Sequence, residues 1–328
     1  CNSGWPRFMP TPSPEFRPHL NGILPMLQSG HVRQMKGQGT VRLLPSDRDY
    51  LEKLRGETRG LLREVLGSGG RDVVFLDAPT YRNFGDSLIW EGSLRYLREL
   101  GFKVRYTADI RRFRDEDLRK VPGDAIIVLE GGGNLGDLWP TCEEFRQHIV
   151  KTYPQRRIVI MPQSIHFEDS EALERSAAGY RRGENLTVLL RESRSIEIAR
   201  EHFRDVDVRF CYDAALGVRV PEAPVAREKA GPVIIARGDK ESRPDDAAFL
   251  AEHAGEDWRA SRSNQMVWDR MVWFKNYYAH LPHQVQDRTR APHLPYDVMR
   301  GLNVAAAIRQ LDGAPVVVTN RLHGHVLA

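Results

Sequence analysis

Cysteine is scarce in this 328-residue sequence, which contains only Cys1, Cys142 and Cys211. No two of them have the short spacing of a zinc knuckle or of a redox-active pair. The histidines are dispersed as well, and none forms a helical His-x-x-x-His pair with an acidic partner, so we expect no metal site. So few cysteines are typical of a protein from a reducing compartment.

Long hydrophobic runs are also missing. No apolar stretch approaches the roughly 18 residues of a membrane-spanning helix, and the N-terminus lacks the charged-then-apolar order of a secretory signal. We therefore expect a cytoplasmic protein with no transmembrane segment. Peripheral association with a membrane is compatible with this expectation. The chain begins without methionine and stops where a helix is beginning, so we also expect it to be a fragment.

A block of charge of one sign is absent too. The sequence has 48 lysines and arginines and 44 acidic residues, which gives a net charge of +4, and the basic excess is spread along the chain. A nucleic-acid surface would cluster its basic residues, so nucleic acid is not expected as a partner, and small anionic ligands fit better. The length suits about two domains.

Apolar strands alternate with amphipathic helices after an N-terminal arm at residues 1–45 that has no sustained period. This alternation, with nearly all-apolar strands, predicts an α/β fold whose parallel sheet is covered on both faces. Residues 218–231 hold two prolines and mixed charge between regular stretches, which marks a domain boundary. We expect an N-terminal domain at 46–220 and a C-terminal α/β domain at 221–328.

Polar side chains follow five consecutive strands of the first predicted domain. The clusters are NFGDS at 83–87, EGGGNLGD at 130–137, PQSIH at 162–166, RESRS at 191–195 and YDAA at 212–215. The carboxyl ends of parallel strands meet at one edge of a sheet, and ligands of open α/β sheets bind there. The sequence therefore predicts a ligand-binding rim at this edge.

The segment GGGNLG at 131–136 matches the dinucleotide pattern G-x-G-x-x-G in form. Such a fingerprint should open directly into a helix and be followed, about 20 residues later, by an acidic residue at a strand end. Here Thr141 and Glu144 form a predicted capping box that starts the helix later, and the next strand ends near Gln163. We therefore expect no nicotinamide cofactor and interpret the glycines as a tight turn whose backbone N–H groups approach a ligand.

Two further polar clusters end strands of the second predicted domain. The segment ARGDKE supplies Arg237 and Lys240, and NRLHGH supplies Arg321 and His323. An arginine binds carboxylate or phosphate oxygens in a bidentate manner, and a histidine transfers protons near neutral pH. In the alternative interpretation Arg321 pairs with an acid such as Asp239 and the histidines cap a helix. Two such clusters in one domain favour an anion site.

The apolar run Val316 to Val318 precedes the second of these clusters. Its β-branched residues predict a central buried strand that ends at an interdomain cleft. Arg321 and His323 should emerge at the carboxyl end of that strand. His325 should lie in the first turn of the next helix and point elsewhere.

Seven segments, in order, resemble the polysaccharide pyruvyltransferase family. They are NFGDSLIWEGSLRYLRELG, LEGGGNLGDLW, IVIMPQSIHF, LLRESRSIE, CYDAALG, ARGDKE and VVTNRLHGH, spread over residues 73–325. Each motif alone is weak, but the ordered set is specific. The resemblance implies two Rossmann-like domains in the GT-B-like arrangement of glycosyltransferases. Family members continue past the R-L-H motif for another helix, strand and helix, so the second domain is expected to be truncated here.

The resemblance also implies a reaction. A pyruvyl group would pass from phosphoenolpyruvate to two hydroxyls of a sugar, giving a cyclic ketal in exopolysaccharide or cell-envelope glycan biosynthesis. Phosphoenolpyruvate is then the donor substrate, and no cofactor is expected. The acceptor would be a saccharide, whether lipid-linked, polymeric or nucleotide-activated.

The same resemblance assigns Arg237, Arg321 and His323 to the donor side, where Lys240 adds a further cation for the donor's carboxylate and phosphate. We expect His323 to act as the general acid that protonates the methylene carbon. Asp86 is the predicted general base. The rim residues predicted to bind the acceptor are Asn83, Asn134, Asp137, Gln163 and Arg191.

Two other functions remain open from the sequence. The first is a GT-B glycosyltransferase that uses the same cations to bind the diphosphate of a nucleotide-sugar. The second is a non-catalytic saccharide-binding protein. Thermal stabilisation by phosphoenolpyruvate would favour the pyruvyltransferase, whereas stabilisation by a nucleotide-sugar alone would favour the glycosyltransferase.

Overall fold

A computed structural model of the protein describes residues 45–67, 69–220, 229, 231–235, 265–278 and 293–328. Residues 1–44 of the predicted N-terminal arm lie outside these ranges. The predicted donor-binding residues Arg237 and Lys240 lie outside them too. None of the helices in the described ranges has both the length and the apolar character needed to cross a membrane.

A sheet of seven strands forms the centre of the fold. The strands are β1 (Asp72–Leu76), β2 (Lys103–Ala108), β3 (Ile126–Leu129), β4 (Gly132–Gly136), β5 (Ile158–His166), β6 (Leu186–Leu190) and β7 (Asp207–Phe210). Their order is β2-β1-β3-β5-β6-β7, with β4 paired to β5, and every one of these pairings is parallel. The predicted α/β fold with a parallel sheet is confirmed.

Helices follow most of these strands and cover both faces of the sheet. They are α1 (Pro45–Leu66), α2 (Phe84–Glu99), α3 (Asp115–Leu118), α4 (Pro140–Thr152), α5 (Ser170–Tyr180), α6 (Ser193–His202) and a 3₁₀ helix (Ala214–Gly217). In β1, Val73 and Phe75 join one hydrophobic cluster, whereas Val74 and Leu76 join the other. Alternate residues of a strand face opposite sides, so each helical layer covers one set of side chains. Burial of each large apolar side chain stabilises the fold by about 1.5 to 3 kcal/mol.

The order of the strands places a topological switch point between β1 and β3. The chain moves from β1 outward to β2 and then returns to the other side of β1 to form β3. In open parallel sheets the connections on either side of such a point diverge and leave a crevice at the carboxyl ends of the strands. The fold therefore positions a ligand site beside the ends of β1 and β3.

The glycine segment 131–136 forms a strand, so the predicted tight turn was wrong. Strand β5 pairs with β3 up to Ile160 and with β4 from Gln163 onward. Pro162 lies at this change of partner, where its missing N–H interrupts the ladder. Gly136 has a φ of 140°, and a Cβ there would lie 1.7 Å from the carbonyl oxygen of His166, so glycine permits this close pairing.

Helix α4 begins earlier than the predicted capping box requires. Trp139 is its N-cap residue, with no side-chain capping hydrogen bond, and Pro140 occupies the first turn. Proline is well suited to that position because its φ is already helical and it has no N–H to satisfy. Thr141 therefore lies inside the helix, and its predicted box with Glu144 was wrong.

A second, smaller sheet lies in the C-terminal part of the chain. It pairs β8 (Val233–Ile235) in parallel with β9 (Val317–Thr319). Three helices accompany it, α7 (Gln265–Tyr278), α8 (Leu294–Leu311) and α9 (Leu322–Leu327). The division into domains at residues 220 and 221 stays a prediction.

The predicted central buried strand at residues 316–318 was wrong. Val316 is 52% exposed, and Val317 and Val318 are only partly buried. Within the described residues, β9 has a single neighbouring strand, β8. A two-stranded ribbon covers its faces less completely than the middle of a large sheet does, so β-branched residues here do not signal full burial.

Candidate active site

His323 lies against the rim of the large sheet. It belongs to α9, which packs on α2 and on the 3₁₀ helix. Its Nε2 atom is 3.4 Å from Oδ2 of Asp213, the residue just before the 3₁₀ helix, and 13% and 11% of the two side chains are exposed. This distance is within ion-pair range but longer than an ordinary hydrogen bond. His325 is exposed, as expected of a residue that points elsewhere.

Asp213 is also held by a cation, Arg191, which follows β6. The Nη1 atom of Arg191 donates to Asp213 Oδ2 at 2.5 Å, and its Nε atom donates to Ser164 Oγ at 2.9 Å. Burial alone would raise the pKa of Asp213, but His323 and Arg191 outweigh it and hold the pKa well below its usual range. Asp213 is thus an anion that faces the imidazole of His323 and the guanidinium of Arg191, and Arg191 helps to position it.

The first turn of α2 contributes Asn83 and Asp86. Asn83 is the N-cap residue, and its Oδ1 accepts a hydrogen bond of 2.9 Å from the backbone N–H of Gly85. Asp86 Oδ2 accepts from Asn83 Nδ2 at 2.8 Å and from the Tyr81 hydroxyl at 2.7 Å. The cap therefore orients Asp86 as well as starting the helix.

Gly85 brings this turn into contact with His323. A Cβ atom at residue 85 would lie 2.6 Å from His323 Nδ1 and 3.2 Å from Asn83 Oδ1. Only glycine leaves room for the imidazole at this distance. The structure thus joins predicted residues from opposite ends of the chain, Asn83 and Asp86 on one side and His323 on the other.

Asn134 and Gln163, two predicted acceptor residues, hold the rim together from below. The backbone oxygen of Asn134 accepts from Arg146 Nη1 at 2.9 Å, and its side-chain oxygen accepts a second bond from the same guanidinium. Gln163 is fully buried, donates to the Glu130 carbonyl at 2.8 Å and accepts from the Asn134 N–H at 3.3 Å. These contacts position β4 beside β5, and direct binding of an acceptor by either side chain stays a prediction.

Asp137 caps the segment that leads into α5. Its Oδ2 atom accepts from the backbone N–H groups of Glu168 at 2.7 Å and Asp169 at 2.9 Å. Its own N–H donates to the carbonyl of His166 at 3.2 Å. One carboxylate oxygen is therefore engaged in holding two loops together, and the acceptor-binding role of Asp137 also stays a prediction.

Arg321 is the N-cap residue of α9 and is half-buried. Its backbone N–H donates to Thr319 Oγ1 at 3.0 Å, which fixes the turn from β9 into the helix. Arg321 and His323 therefore lie two positions apart at the start of one short helix. Their predicted donor-side partners, Arg237 and Lys240, lie outside the described residues.

Two buried carboxyl groups, Asp77 and Glu130, also lie at the rim, and sequence reasoning gave neither a role. They follow β1 and β3, and burial raises the pKa of Asp77 to about 7 and that of Glu130 well above its usual value. Asp213 lies in a predicted rim cluster, YDAA, but was likewise given no individual role. All three come directly after or near the end of a strand, which was the available signal, but the sequence does not show which strand-end carboxyl groups become buried.

The C-terminal helices are attached to this rim by polar contacts. Lys275 of α7 donates to Asp109 Oδ2 at 2.8 Å, and the Tyr296 hydroxyl of α8 donates to the same oxygen at 3.1 Å. Asn303, also in α8, donates to Ser87 Oγ at 2.9 Å. The loop after β2 and the first turn of α2 are therefore fixed against α7 and α8.

Comparisons with known proteins agree on one family. A sequence model described as polysaccharide pyruvyl transferase matches residues 83–328. The Bacillus subtilis protein EpsO, provisionally named a pyruvyl transferase, is 31% identical over 265 residues, which is 78% of each chain. Pyruvyl transferase 1 of Schizosaccharomyces pombe is 26% identical over 275 residues, which is 80% of this chain and 64% of the yeast protein.

A solved structure supports the fold. The crystal structure of a functionally uncharacterized protein from Klebsiella pneumoniae aligns with a TM-score of 0.51 and 17% sequence identity. The alignment covers 84% of this chain and 85% of that one. At this identity the likeness concerns the α/β architecture alone.

Proposed function

The chain belongs to the polysaccharide pyruvyl transferase family and is a transferase, and on this basis we propose that its donor is phosphoenolpyruvate and its product a cyclic pyruvate ketal on a saccharide. The glycan would be an exopolysaccharide or a cell-envelope polymer, or a lipid-linked precursor of one. The donor is cytoplasmic in this proposal, and so is the enzyme. The proposed architecture is GT-B-like, with the acceptor on the large sheet and the donor beside β8 and β9.

The observation that carries the proposal is the contact between His323, Asp213 and Arg191. Protonation of the methylene carbon of phosphoenolpyruvate requires an acid close to a bound anion. The ring nitrogen Nε2 of His323 faces Asp213, so Nδ1, on the side of Gly85, is the nitrogen that remains for proton transfer. The carboxylate of Asp213 balances the charge of the imidazolium and fixes the ring, as the aspartate of a catalytic triad does.

The remaining steps follow from the chemistry of the donor. Once the proton is on the methylene carbon, C2 is electrophilic, and the first sugar hydroxyl adds to it with loss of its proton. The C2–O bond to phosphate then breaks, and the second hydroxyl adds to C2 and closes the ring. One hydroxyl proton replaces the proton taken from His323, and the other leaves with phosphate.

Cations are needed for the donor's carboxylate and phosphate. Arg321 starts the helix that carries His323, so one ligand can contact both side chains. Arg237 and Lys240 are proposed to add two further cations, since charge-assisted bonds to phosphate are the strongest that a protein side chain can offer. Asn83, Asp86, Asn134 and Asp137 are proposed to face the saccharide.

Mass spectrometry tests the proposed reaction. The protein is incubated with phosphoenolpyruvate and a panel of saccharides, and each product is searched for the added mass of one pyruvate less one water. Ketal formation with one phosphate released per product supports the proposal. Transfer of a sugar from a nucleotide-sugar, with no ketal on any saccharide, would favour the glycosyltransferase, and saccharide binding with neither product would favour the non-catalytic protein.

Gly85→Ala is expected to reduce ketal formation by about 10- to 100-fold, because the added Cβ displaces His323 from its position beside Asp213. The measurement is the initial rate of phosphate release with saturating donor. Gly60→Ala is the matched control, since nothing lies within 4 Å of a Cβ at that exposed position of α1. The control should keep full activity and gain up to about 1 kcal/mol of stability. Equal rates in both variants would show that the position of His323 does not matter.

A further inference from the structure

Asp77 and Glu130 lie side by side at the switch point of the sheet. Strands β1 and β3 pair in parallel with Leu76 opposite Leu129, and the N–H of Glu130 donates to the carbonyl of Leu76 at 3.2 Å. Asp77 and Glu130 are the next residues of the two strands. They therefore occupy the position where an open parallel sheet binds its ligand.

Glu130 is buried and Asp77 is largely buried, and carboxyl oxygens of both lack the partners that burial normally requires. Glu130 is 3% exposed, and within the described part of the chain neither of its carboxyl oxygens has a hydrogen-bond partner. The same holds for Oδ2 of Asp77. The fully buried Arg146 approaches that oxygen, but at 3.6 Å the contact is too long for a hydrogen bond. Unpartnered buried carboxyl groups are costly and are retained mainly where they have a function.

The backbone at Asp77 adds a second cost. Its φ is 68°, in the left-handed region that non-glycine residues rarely occupy. A glycine would adopt this conformation without a steric cost, but it would not place a second acid beside Glu130. The chain therefore keeps an aspartate at the end of β1, although burial disfavours its charged form and its backbone φ is uncommon for a residue other than glycine. This is the pattern of a functional residue.

We propose that Asp77 accepts the proton of the attacking sugar hydroxyl, with Glu130 beside it as a neutral carboxylic acid that donates a hydrogen bond to the same saccharide. This inference rests on the proposed pyruvyl transfer. As the hydroxyl oxygen bonds to C2 of the pyruvyl group, its O–H bond breaks and the proton moves to the Asp77 carboxylate. Asp77 then passes this proton to the departing phosphate, and the proton of the second hydroxyl restores His323.

Asp77 suits this role better than Asp86, the base predicted from sequence. Oδ2 of Asp86 already accepts hydrogen bonds from Tyr81 and Asn83, which makes Asp86 suited to orient the saccharide. Burial is the main cause that raises the pKa of Asp77 to about 7, where Arg146 opposes the rise and Asp86 and Asp109 add to it. A base with a pKa near neutrality is partly ionised and still basic enough to take a proton.

Several charged or titratable groups face Asp77 from the elements packed around it. They are Tyr81 and Asp86 from the loop after β1 and α2, Asp109 after β2, Glu130 after β3, and Cys142 and Arg146 from α4. The folded protein therefore disfavours the ionised form of Asp77. Its contribution to stability is largest below the unfolded pKa of about 4 and is lost as the pH rises toward about 7.

The substitution Asp77→Asn tests the proposal with two readouts. Ketal formation should fall at least about 100-fold, while phosphoenolpyruvate still raises the thermal unfolding midpoint of the variant. The stability of Asp77→Asn relative to the wild type, measured by urea unfolding, should increase between pH 4 and pH 7. A residue with a purely structural role would give the opposite result, a loss of stability at neutral pH.

Asp205→Asn is the matched control. Asp205 has the same φ of 68° but is exposed, so its substitution should change neither the rate nor the pH dependence of stability. An active wild type with equally active Asp77→Asn would overturn the role of Asp77 while the proposed function stands. A wild type that forms no ketal on any saccharide would overturn the proposed function and this inference together. Loss of stability in Asp77→Asn at pH 7 would also overturn the inference.

Discussion

His323→Ala is expected to lower the rate of ketal formation at least about 100-fold, because the change removes the proton donor for the methylene carbon of the donor. The side chain contacts Asp213 and the backbone at Gly85 but belongs to a short helix at the edge of the described structure. The fold should therefore survive. Initial rates of phosphate release, at saturating donor and acceptor, measure the effect.

His325→Ala is the matched control, since His325 lies on the same helix and is exposed. Its rate should stay within a small factor of the wild type. Donor binding, followed as the shift in unfolding temperature with phosphoenolpyruvate, should persist in both variants. Equal losses of rate in the two variants, or a loss confined to His325→Ala, would contradict the assignment of His323 as the acid.

Asp213→Asn is expected to destabilise the protein by about 3 to 5 kcal/mol at pH 7, the largest stability effect we anticipate. The change leaves Arg191, 10% exposed in its side chain, without its anionic partner and removes the charge that faces His323. The pKa of Asp213 lies below its usual range. Its stabilisation is therefore fully present above the unfolded pKa of about 4 and is lost progressively as the pH falls from there through the lower pKa of the folded state.

Urea unfolding of wild type and Asp213→Asn, at pH 7 and at pH 3, measures this difference. The gap in unfolding free energy between the two proteins should be smaller at pH 3 than at pH 7, because part of the stabilisation is already lost at pH 3. Asp207→Asn is the control, because Asp207 lies on β7 and pairs with Arg209 in a largely exposed ion pair. Exposed pairs contribute about 0 to 1 kcal/mol. A cost for Asp213→Asn no greater than that of the control would rule out a tight buried pair.

The strands of the large sheet were predictable because full burial on both faces leaves a plain mark in the sequence. Runs such as Ile126 to Leu129 are entirely apolar and entirely buried. The glycine segment 131–136 was misassigned because glycine allows both turns and close strand pairing. The decisive residue is Pro162, on another strand, and its effect on pairing depends on which strands become neighbours.

The candidate site was predictable in part, for a related reason. The rule that ligands bind at the carboxyl ends of parallel strands selected Asn83, Asp86 and Arg191, and the structure brings these residues to the same rim as His323. The rule does not say which side chains satisfy one another. Gln163 turned out to be a buried support, and Asp213 a central anion, because both roles depend on contacts between segments far apart in sequence.

The buried contact of Lys275 with Asp109 restricts how substrates enter and leave. The two side chains are 9% and 6% exposed, and the Tyr296 hydroxyl shares the same carboxylate oxygen. A hinge motion that lifted α7 and α8 from the end of β2 would separate these two charged side chains. Breaking a buried ion pair is strongly unfavourable. The edge of the rim beside β2 is therefore held in place by α7 and α8, and we expect substrates to enter and leave on another side.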